Sequence, residues 1–539
     1  MKGNIIASVL IISCFTACTS VQIDARLEMN TNGAAPLTII ASIGEGVVAD
    51  SIVVDFRAEG HSFAVAKSVV KERIAIVGAK ANREYRANII LYRDGKEIGE
   101  REGIVLRTPT LSDDPALMPK IVVAKADTSR MESGYTLFNP RRNAPRTNDL
   151  DDSFNQEYGM LMATDAMGEV VWYYTCDSRI SDFDILSNGN LTYLRQDNVL
   201  VEIDWAGNVI DSWYTAEFPE KINVKGDAKP IAAQTIHHDV SQLPNGNFVA
   251  LGTEWREFEN YPLSYEENDL GRQKVMADVI YEFTPEGEVV WEWNTFDYLN
   301  PYLIGYETFH KYWMRRGFPD VKADWSHANY VVYDKADDAL LVNYRHISLI
   351  VKIDRKSGDI VWGFGPDANI LKDKSKHIKI TSGNNPWHQH SPEITPRGSL
   401  VFFNNNNYMA NPPAAELPIE KAYSYVSEYA IDIENMTAKE IWNSKIDGEQ
   451  KVISVAMGDV DCLPKTGNIL AAYGAMINRD IIDEIESVGD SRRNINAWTM
   501  MREFSHTTPA EIVWEMHLEK LNDTTKIGWN LFGAERFEF

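Results

Sequence analysis

The chain has 539 residues, 44% of them hydrophobic, with a formal net charge of -25 and only 4 cysteines. That is enough apolar sequence for several domains or one large repeat architecture. So acidic a surface argues against nucleic acid or an anionic membrane as a broad partner, and admits an anionic small molecule only through a local basic site.

The first twenty residues, MKGNIIASVLIISCFTACTS, carry one lysine, an apolar core and small residues ahead of Cys18. They read as a secretory signal, too short and too quickly followed by polar sequence to span a membrane. Phe15-Thr16-Ala17-Cys18 resembles a bacterial lipobox with an unusual Phe in first place. Residues 1–18 are therefore a signal peptide, with either a lipid anchor at Cys18 or ordinary cleavage after Ala17. Both readings export the protein, to the periplasm or as a membrane-anchored lipoprotein. Beyond Cys14 and Cys18 only Cys176 and Cys462 remain, with no disulfide framework and no zinc-ribbon spacing; whether they pair stays open. Residues 19–112 hold the runs LTIIASI, SIVVDFRA, RIAIVGA and RANIILYRDGKEIG. These predict a small antiparallel β-sandwich, with 108–112 as a linker.

From 113 to 539 one phrase recurs: MGEVVWYY at Trp172, EGEVVWEW at Trp291, SGDIVWGF at Trp362, AKEIWNS at Trp442, AEIVWEM at Trp514, and GNVIDSW with its tryptophan two places late, at Trp213. An opening hairpin also recurs, as in SDFDILSNGNLTYL, HDVSQLPNGNFVALG and HSPEITPRGSLVFF. Four strands per unit, A to D, and six units predict an all-β protein: a six-bladed β-propeller preceded by the sandwich. A large β-sandwich would not repeat a phrase at both ends of each unit. Blade 1 lacks a strand, which residues 120–140 or the C-terminal GWNLFGAERFEF could supply.

Strand A of each propeller blade lines the central channel. The heads of strand A in blades 2 to 6 are Ser181, His238, His327, His390 and Gly458. Three successive histidines in one register, in a chain with only 11, form a candidate site. The long insertions lie between B and C or between D and the next A, so they share the mouth with these histidines. Arg345 ends a B strand at that mouth, and Asn329 has the strand parity of His327. His388 shares the parity of His390 and is a supporting candidate; His237 faces away and reads as structural, while His346 and His377 have no register. The insert LNPYLIGYETFHKYW, residues 299–313, offers Tyr302, Tyr306 and Trp313 as an aromatic substrate wall.

Three histidines suit zinc, but a guanidinium within reach would repel a dication. Histidine, arginine and asparagine with no obvious carboxylate suit a small tetrahedral anion, with one imidazole as nucleophile and the others as donors. Metal: none; cofactor: none; no P-loop or nucleotide-sulfate motif is present. The alternative is a propeller lyase or hydrolase acting on an acidic or sulfated substrate; a non-enzymatic binding propeller is a third reading.

The run DWSHANYVVYDKADDALLVNYRHISLIVKID, with WHQHS and HHDVSQLPNGN, resembles the bacterial aryl-sulfate sulfotransferases, and NTNGAAPLTIIASI is similar to their N-terminal domain. The resemblance implies a periplasmic propeller that moves a sulfuryl group from an aryl sulfate donor to a phenolic acceptor by a ping-pong route through a sulfohistidine, with no nucleotide donor and as a homodimer. Through Trp-x-Gln-His it makes His390 the nucleophile. It implies that His327, Asn329 and Arg345 hold the sulfuryl group, and its remaining histidine, from the HHD phrase, is assigned by strand parity to His238. Some members carry a disulfide before the nucleophile; here no cysteine stands between 177 and 461.

Overall fold

The computed structural model describes residues 23–69, 71–144, 153–218, 226–449, 452–477, 498–520 and 526–539, with the single positions 220, 222, 224, 485 and 488. The expected signal peptide and Cys18 lie outside them. The chain divides into two compact units, one of Met1–Met29, Ile39–Ile76 and Arg83–Thr108, the other of Asn30–Thr38, Val77–Asn82 and Pro109–Phe539.

The described part of the smaller unit has two antiparallel sheets. One places Ile39–Ile43 between Ala25–Met29 and Arg73–Ile76; the other runs His61–Ser68, Ser51–Ala58, Glu84–Arg93, Lys96–Arg107. Ile52, Val54 and Phe56, and then Tyr85, Ala87, Ile89 and Leu91, are buried at alternate positions, the period-two pattern of sheets with one covered face.

The larger unit is a β-propeller, whose described strands run in six successive sets of four antiparallel strands. Lys229–Ile231 and Ala323–Asp324 add a short parallel strand to the second and third sets, and His377–Ser382 joins the fourth and fifth into one nine-stranded sheet. The second comprises Ile180–Ile185, Leu191–Arg195, Val199–Ile203 and Val209–Thr215; the third His237–Gln242, Phe248–Pro262, Leu270–Phe283 and Val289–Asn294. The fourth comprises Ala328–Asp334, Ala339–Tyr344, Leu349–Asp354 and Ile360–Phe364; the fifth His390–Ile394, Leu400–Asn404, Tyr425–Asp432 and Thr437–Asn443; the sixth Asp459–Cys462, Ile469–Met476, Trp498–Ser505 and Glu511–Glu519. Both ends of the unit close the first blade. Tyr135–Phe138, Gly159–Thr164 and Val170–Cys176 take places B to D, and C-terminal Ala534–Phe537 supplies strand A against Tyr135–Phe138. Lys120–Ala126 instead lies outside strand D of the sixth blade. Cys176 and Cys462 are free thiols.

Two sets of hydrogen bonds hold neighbouring blades together. On the outside, the indole N–H of an outer-strand tryptophan donates to a carbonyl in the next blade's C–D turn: Trp172 to Trp205 at 2.9 Å, Trp213 to Pro285 at 2.9 Å, Trp293 to Gly358 at 2.9 Å, Trp442 to Thr507 at 2.8 Å, and Trp514 to Ala166 at 2.9 Å. This explains the repeated phrase, since a buried indole needs an acceptor as well as apolar packing. It also corrects the reading of blade 3, where the buried tie is Trp293 and Trp291 is only partly covered. Blade 3 thus carries its tryptophan two places late, as blade 2 does with Trp213.

On the inside, Asp182 Oδ2 accepts the Val240 N–H at 3.2 Å, Asp239 Oδ2 the Val331 N–H at 2.6 Å, Ser391 Oγ the Val460 N–H at 3.2 Å, and Asp459 Oδ2 the Ala534 N–H at 3.1 Å. Burial pushes the Asp239 carboxyl from its usual 3.8 up to about 7. The folded state therefore binds a proton that the unfolded chain releases, and Asp239 costs increasing stability as pH rises between those two values. Asp239→Asn keeps an acceptor for Val331 without the titration. Its melting temperature relative to wild type should rise between pH 5 and pH 8, as calorimetry would show; a gap constant with pH would assign Asp239 no such cost.

Candidate active site

The strand-A heads are not regular β-structure. Pairing slips between Ile180 and Asp182, His237 and Val240, Ala328 and Tyr330, and His390 and Glu393. His238 and His327 sit at positive φ, 59° and 46°. Such bulges turn a strand end and re-aim its side chains. Strand parity alone would put His237 and His238 on opposite faces, but the left-handed backbone at His238 lets the two rings meet, Nδ1 to Nδ1, at 2.7 Å.

His238 and His327 come together, ring centroids 4.8 Å apart and edge to face. Around them lie groups that the sequence pattern did not single out. Tyr312 stacks on His238, centroids 5.5 Å apart, and meets His327 edge to face at 5.0 Å, and the Arg316 guanidinium lies over the Tyr312 ring at 3.8 Å. His346 stacks on His327 at 4.2 Å, its Nδ1 donating to the Asp324 carbonyl at 2.6 Å. Far from incidental, His346 is a buried prop for the His327 ring.

The expectation of a site without carboxylates is also corrected. Asp324 Oδ2 lies 2.6 Å from His327 Nδ1, and its Oδ1 accepts the Trp313 indole N–H at 3.0 Å. Burial, with nearby Asp278, holds the Asp324 carboxyl well above the usual range. Burial and the Arg345 charge push His327 down to about 3. A neutral acid and a neutral base result: the Asp324 Oδ2 proton is donated to His327 Nδ1, leaving an N–H on His327 Nε2 as a donor without net charge. The second carboxylate is Glu307, from the 299–313 insert, which pairs with Arg345 Nη1 and accepts the Tyr408 hydroxyl at 2.7 Å.

Arg345 is buried, its Nη2 donating to the Val455 carbonyl at 3.2 Å, while its Nε has no partner. An unsatisfied buried guanidinium donor is costly unless a ligand completes it. Asn329 accepts from Asn343 Nδ2 and donates to the Gln389 carbonyl at 3.3 Å, which fixes the peptide just before His390.

The Nδ1 of His390 lies 2.6 Å from Asn405 Oδ1. The Asn405 amide donates to the carbonyls of Ser454 and Met457, both at 2.9 Å, so its oxygen must face the ring. His390 therefore carries its proton on Nδ1. Nε2 is then a lone pair, met by the Met457 N–H at 3.1 Å. Burial first, then the Arg345 charge, push His390 down to about 3, so the ring is neutral. The sequence signal for Asn405 was the run Asn404–Asn407 ending strand B, the place that Arg345 holds one blade earlier.

The remaining candidates lie farther out. His388 is buried beside Tyr408 at 4.9 Å, its backbone N–H donating to Ser348 Oγ at 3.1 Å; Asn405 together with the His388 backbone orients His390. Tyr306 stacks on Tyr408 at 4.8 Å. Trp313 packs edge-on behind His237 at 5.0 Å. Tyr302 is not brought to the histidines: it is 45% exposed, bonds the Glu259 carbonyl at 3.2 Å and lines a separate cavity of about 260 Å³ with Tyr265 and Ile304.

Asp324, His327 and His346 present ligand atoms within 4.8 Å of one another, the one such metal-like group among the described residues. The Arg345 charge that depresses both histidines acts equally against a dication there, and the Asp324 proton already satisfies His327 Nδ1. The arrangement fits an anion better than a metal.

The site thus joins neutral imidazoles, one clamped with its lone pair free of a proton, to a guanidinium with a donor to spare. Residues 120–525 match the model of the arylsulfotransferase (ASST) family, and the chain belongs to that family. It is 33% identical over 141 residues to arylsulfate sulfotransferase AssT of Lelliottia amnigena, and 29% over 140 residues to arylsulfate sulfotransferase AssT of Escherichia coli O6:H1 strain CFT073; each match spans 22% of this chain and 22% of the relative. Among solved structures, a putative 6-phosphogluconolactonase from Bacteroides uniformis superposes with a TM-score of 0.34 at 9% identity, over 90% of this chain and 100% of that one.

Proposed function

We propose that this protein transfers a sulfuryl group from an aryl sulfate ester to a phenol in two steps through His390. The observation that carries the reading is the His390 clamp: Nδ1–H held by an asparagine whose orientation is forced, and a neutral ring whose Nε2 carries the lone pair, which exchanges the Met457 N–H for sulfur on attack. In the first step His390 Nε2 bonds to sulfur as the bond from sulfur to the aryl oxygen breaks, and the leaving phenolate takes the proton on His238 Nε2. In the second, an acceptor phenol returns a proton to His238, its oxygen bonds to sulfur, and the bond from nitrogen to sulfur breaks. His327 Nε2–H and Arg345 Nε–H donate to the sulfuryl oxygens as charge moves onto them, and Asn329 keeps the Gln389 peptide in place. The signal-like pattern of the N-terminal twenty residues supports an exported protein.

The test is 4-nitrophenyl sulfate with and without added phenol. Nitrophenol release should depend on phenol and be matched by phenyl sulfate formed. Release indifferent to phenol would make the protein a sulfatase. Loss of activity to a chelator, or unsaturated products from an acidic polysaccharide, would replace transfer by the hydrolase or lyase reading.

A further inference from the structure

His238 has to give a proton in one half-reaction and take one in the next, and its ring is half-buried among Tyr312, His327 and Phe532. Its ring is neutral, held well below the usual histidine range by burial and by His327, His237 and Arg316. Losing the Nε2 proton outright from a neutral imidazole would leave an imidazolate, a strong base that is costly without a metal to hold it. The ring avoids this by taking a second proton at Nδ1, the nitrogen that meets His237.

The structure shows where it is held. His238 Nδ1 meets His237 Nδ1 at 2.7 Å. The far nitrogen, His237 Nε2, faces two acceptors, the Gly252 carbonyl at 3.2 Å and Asp278 Oδ1 at 3.3 Å, and so must carry a proton. Asp278 is itself buried and fixed, its Oδ2 accepting the Ala328 N–H at 2.7 Å and the Ser326 hydroxyl. Trp313 closes the other side of His237 at 5.0 Å.

We propose that His237 and Asp278 form a proton relay behind His238, making His237 a positioning residue that switches His238 between acid and base; this rests on the sulfuryl-transfer reading. Before the first step His237 carries protons on both nitrogens and is paired with the Asp278 carboxylate, while His238 holds its proton on Nε2 and accepts from His237 through Nδ1. As the bond from sulfur to oxygen breaks, His238 Nε2–H passes to the leaving phenolate and the His237 Nδ1 proton crosses to His238 Nδ1. One proton has left the relay and one phenol has formed, with both rings neutral. The acceptor phenol reverses every transfer in the second step. No oxidant, metal or further base is required, and the relay returns to its starting state each cycle.

The relay is tested by comparing donors whose leaving groups differ in their need for a proton. 4-Nitrophenolate leaves almost unaided, whereas phenolate needs the acid, and general acid catalysis contributes about 10²–10⁴-fold. In His237→Gln and in Asp278→Asn, kcat/KM for phenyl sulfate should fall at least about 10-fold further than kcat/KM for 4-nitrophenyl sulfate, both relative to wild type and in protein whose melting temperature shows it folded. Equal losses on the two donors would overturn the relay and leave His237 as packing. Should both variants fail to fold, wild type with ¹⁵N-labelled histidine decides: protons on both nitrogens of His237, that on Nδ1 strongly downfield, support the relay, and a His237 protonated on one nitrogen only overturns it. If wild type transfers from neither donor, the sulfuryl-transfer reading itself fails.

Discussion

His390→Ala should neither transfer a sulfuryl group nor retain one. Wild-type protein given an aryl sulfate donor alone, quenched and digested at mildly alkaline pH, is expected to carry a single sulfuryl group on the peptide that contains His390. The variant should carry none, and its turnover should fall by about 10⁴-fold or more, the scale seen when a covalent nucleophile is removed. The His390 environment adds a pH signature. A histidine with the ordinary value of 6.5 would be only about 3% neutral at pH 5. His390, pushed down to about 3 by burial and then Arg345, stays neutral there, so labelling should hardly slow between pH 8 and pH 5 and should be lost only as pH approaches 3. A label on His238 or His327, normal turnover by the alanine variant, or a labelling rate that falls about 30-fold by pH 5 would each reject His390 as a neutral nucleophile.

What could be read from the sequence was whatever recurs at blade spacing. The hairpin and tryptophan phrases revealed the propeller because most blades make the same kinds of tie to the next one. The strand-head register picked out His238, His327 and His390 for the same reason. Strand parity then failed at His238, since a positive φ of 59° and a slipped pairing put His237 and His238 side by side. Asp324, Glu307 and Tyr312 were hidden for a different reason. They lie in the long connection between blades 3 and 4, which repeats nowhere else, and they reach the histidines through folding of that connection alone. Its carboxylates share no register with the strand heads, and its Tyr302, Tyr306 and Trp313 read as substrate contacts. In the structure the carboxylates hold His327 and Arg345, while Tyr302 sits on the rim and Trp313 packs behind the site.

That connection bears directly on the expected behaviour of Arg345→Lys. Arg345 uses its planar fork in three directions: Nη1 to Glu307, Nη2 to the Val455 carbonyl at 3.2 Å, and Nε left over. A lysine keeps the charge and its ammonium can still reach Glu307, so the buried carboxylate stays paired and the protein should fold. A point charge drawn onto Glu307 cannot also present a fixed N–H to the sulfuryl oxygens. A hydrogen bond to a charged group contributes about 1.5–3 kcal/mol, so kcat/KM for an aryl sulfate should fall about 10- to 150-fold at the scale of 1.36 kcal/mol per tenfold. Arg345→Ala differs: it strands Glu307 without its cation, and breaking a buried pair costs about 3–5 kcal/mol, so stability and activity should fall together. Kinetics and thermal melts on the two variants separate the effects. Near-normal kcat/KM in the lysine variant would remove Arg345 from the chemistry and leave it as the structural partner of Glu307. A lysine variant that melts like the alanine variant would show instead that the fork, rather than the charge, holds the insert in place.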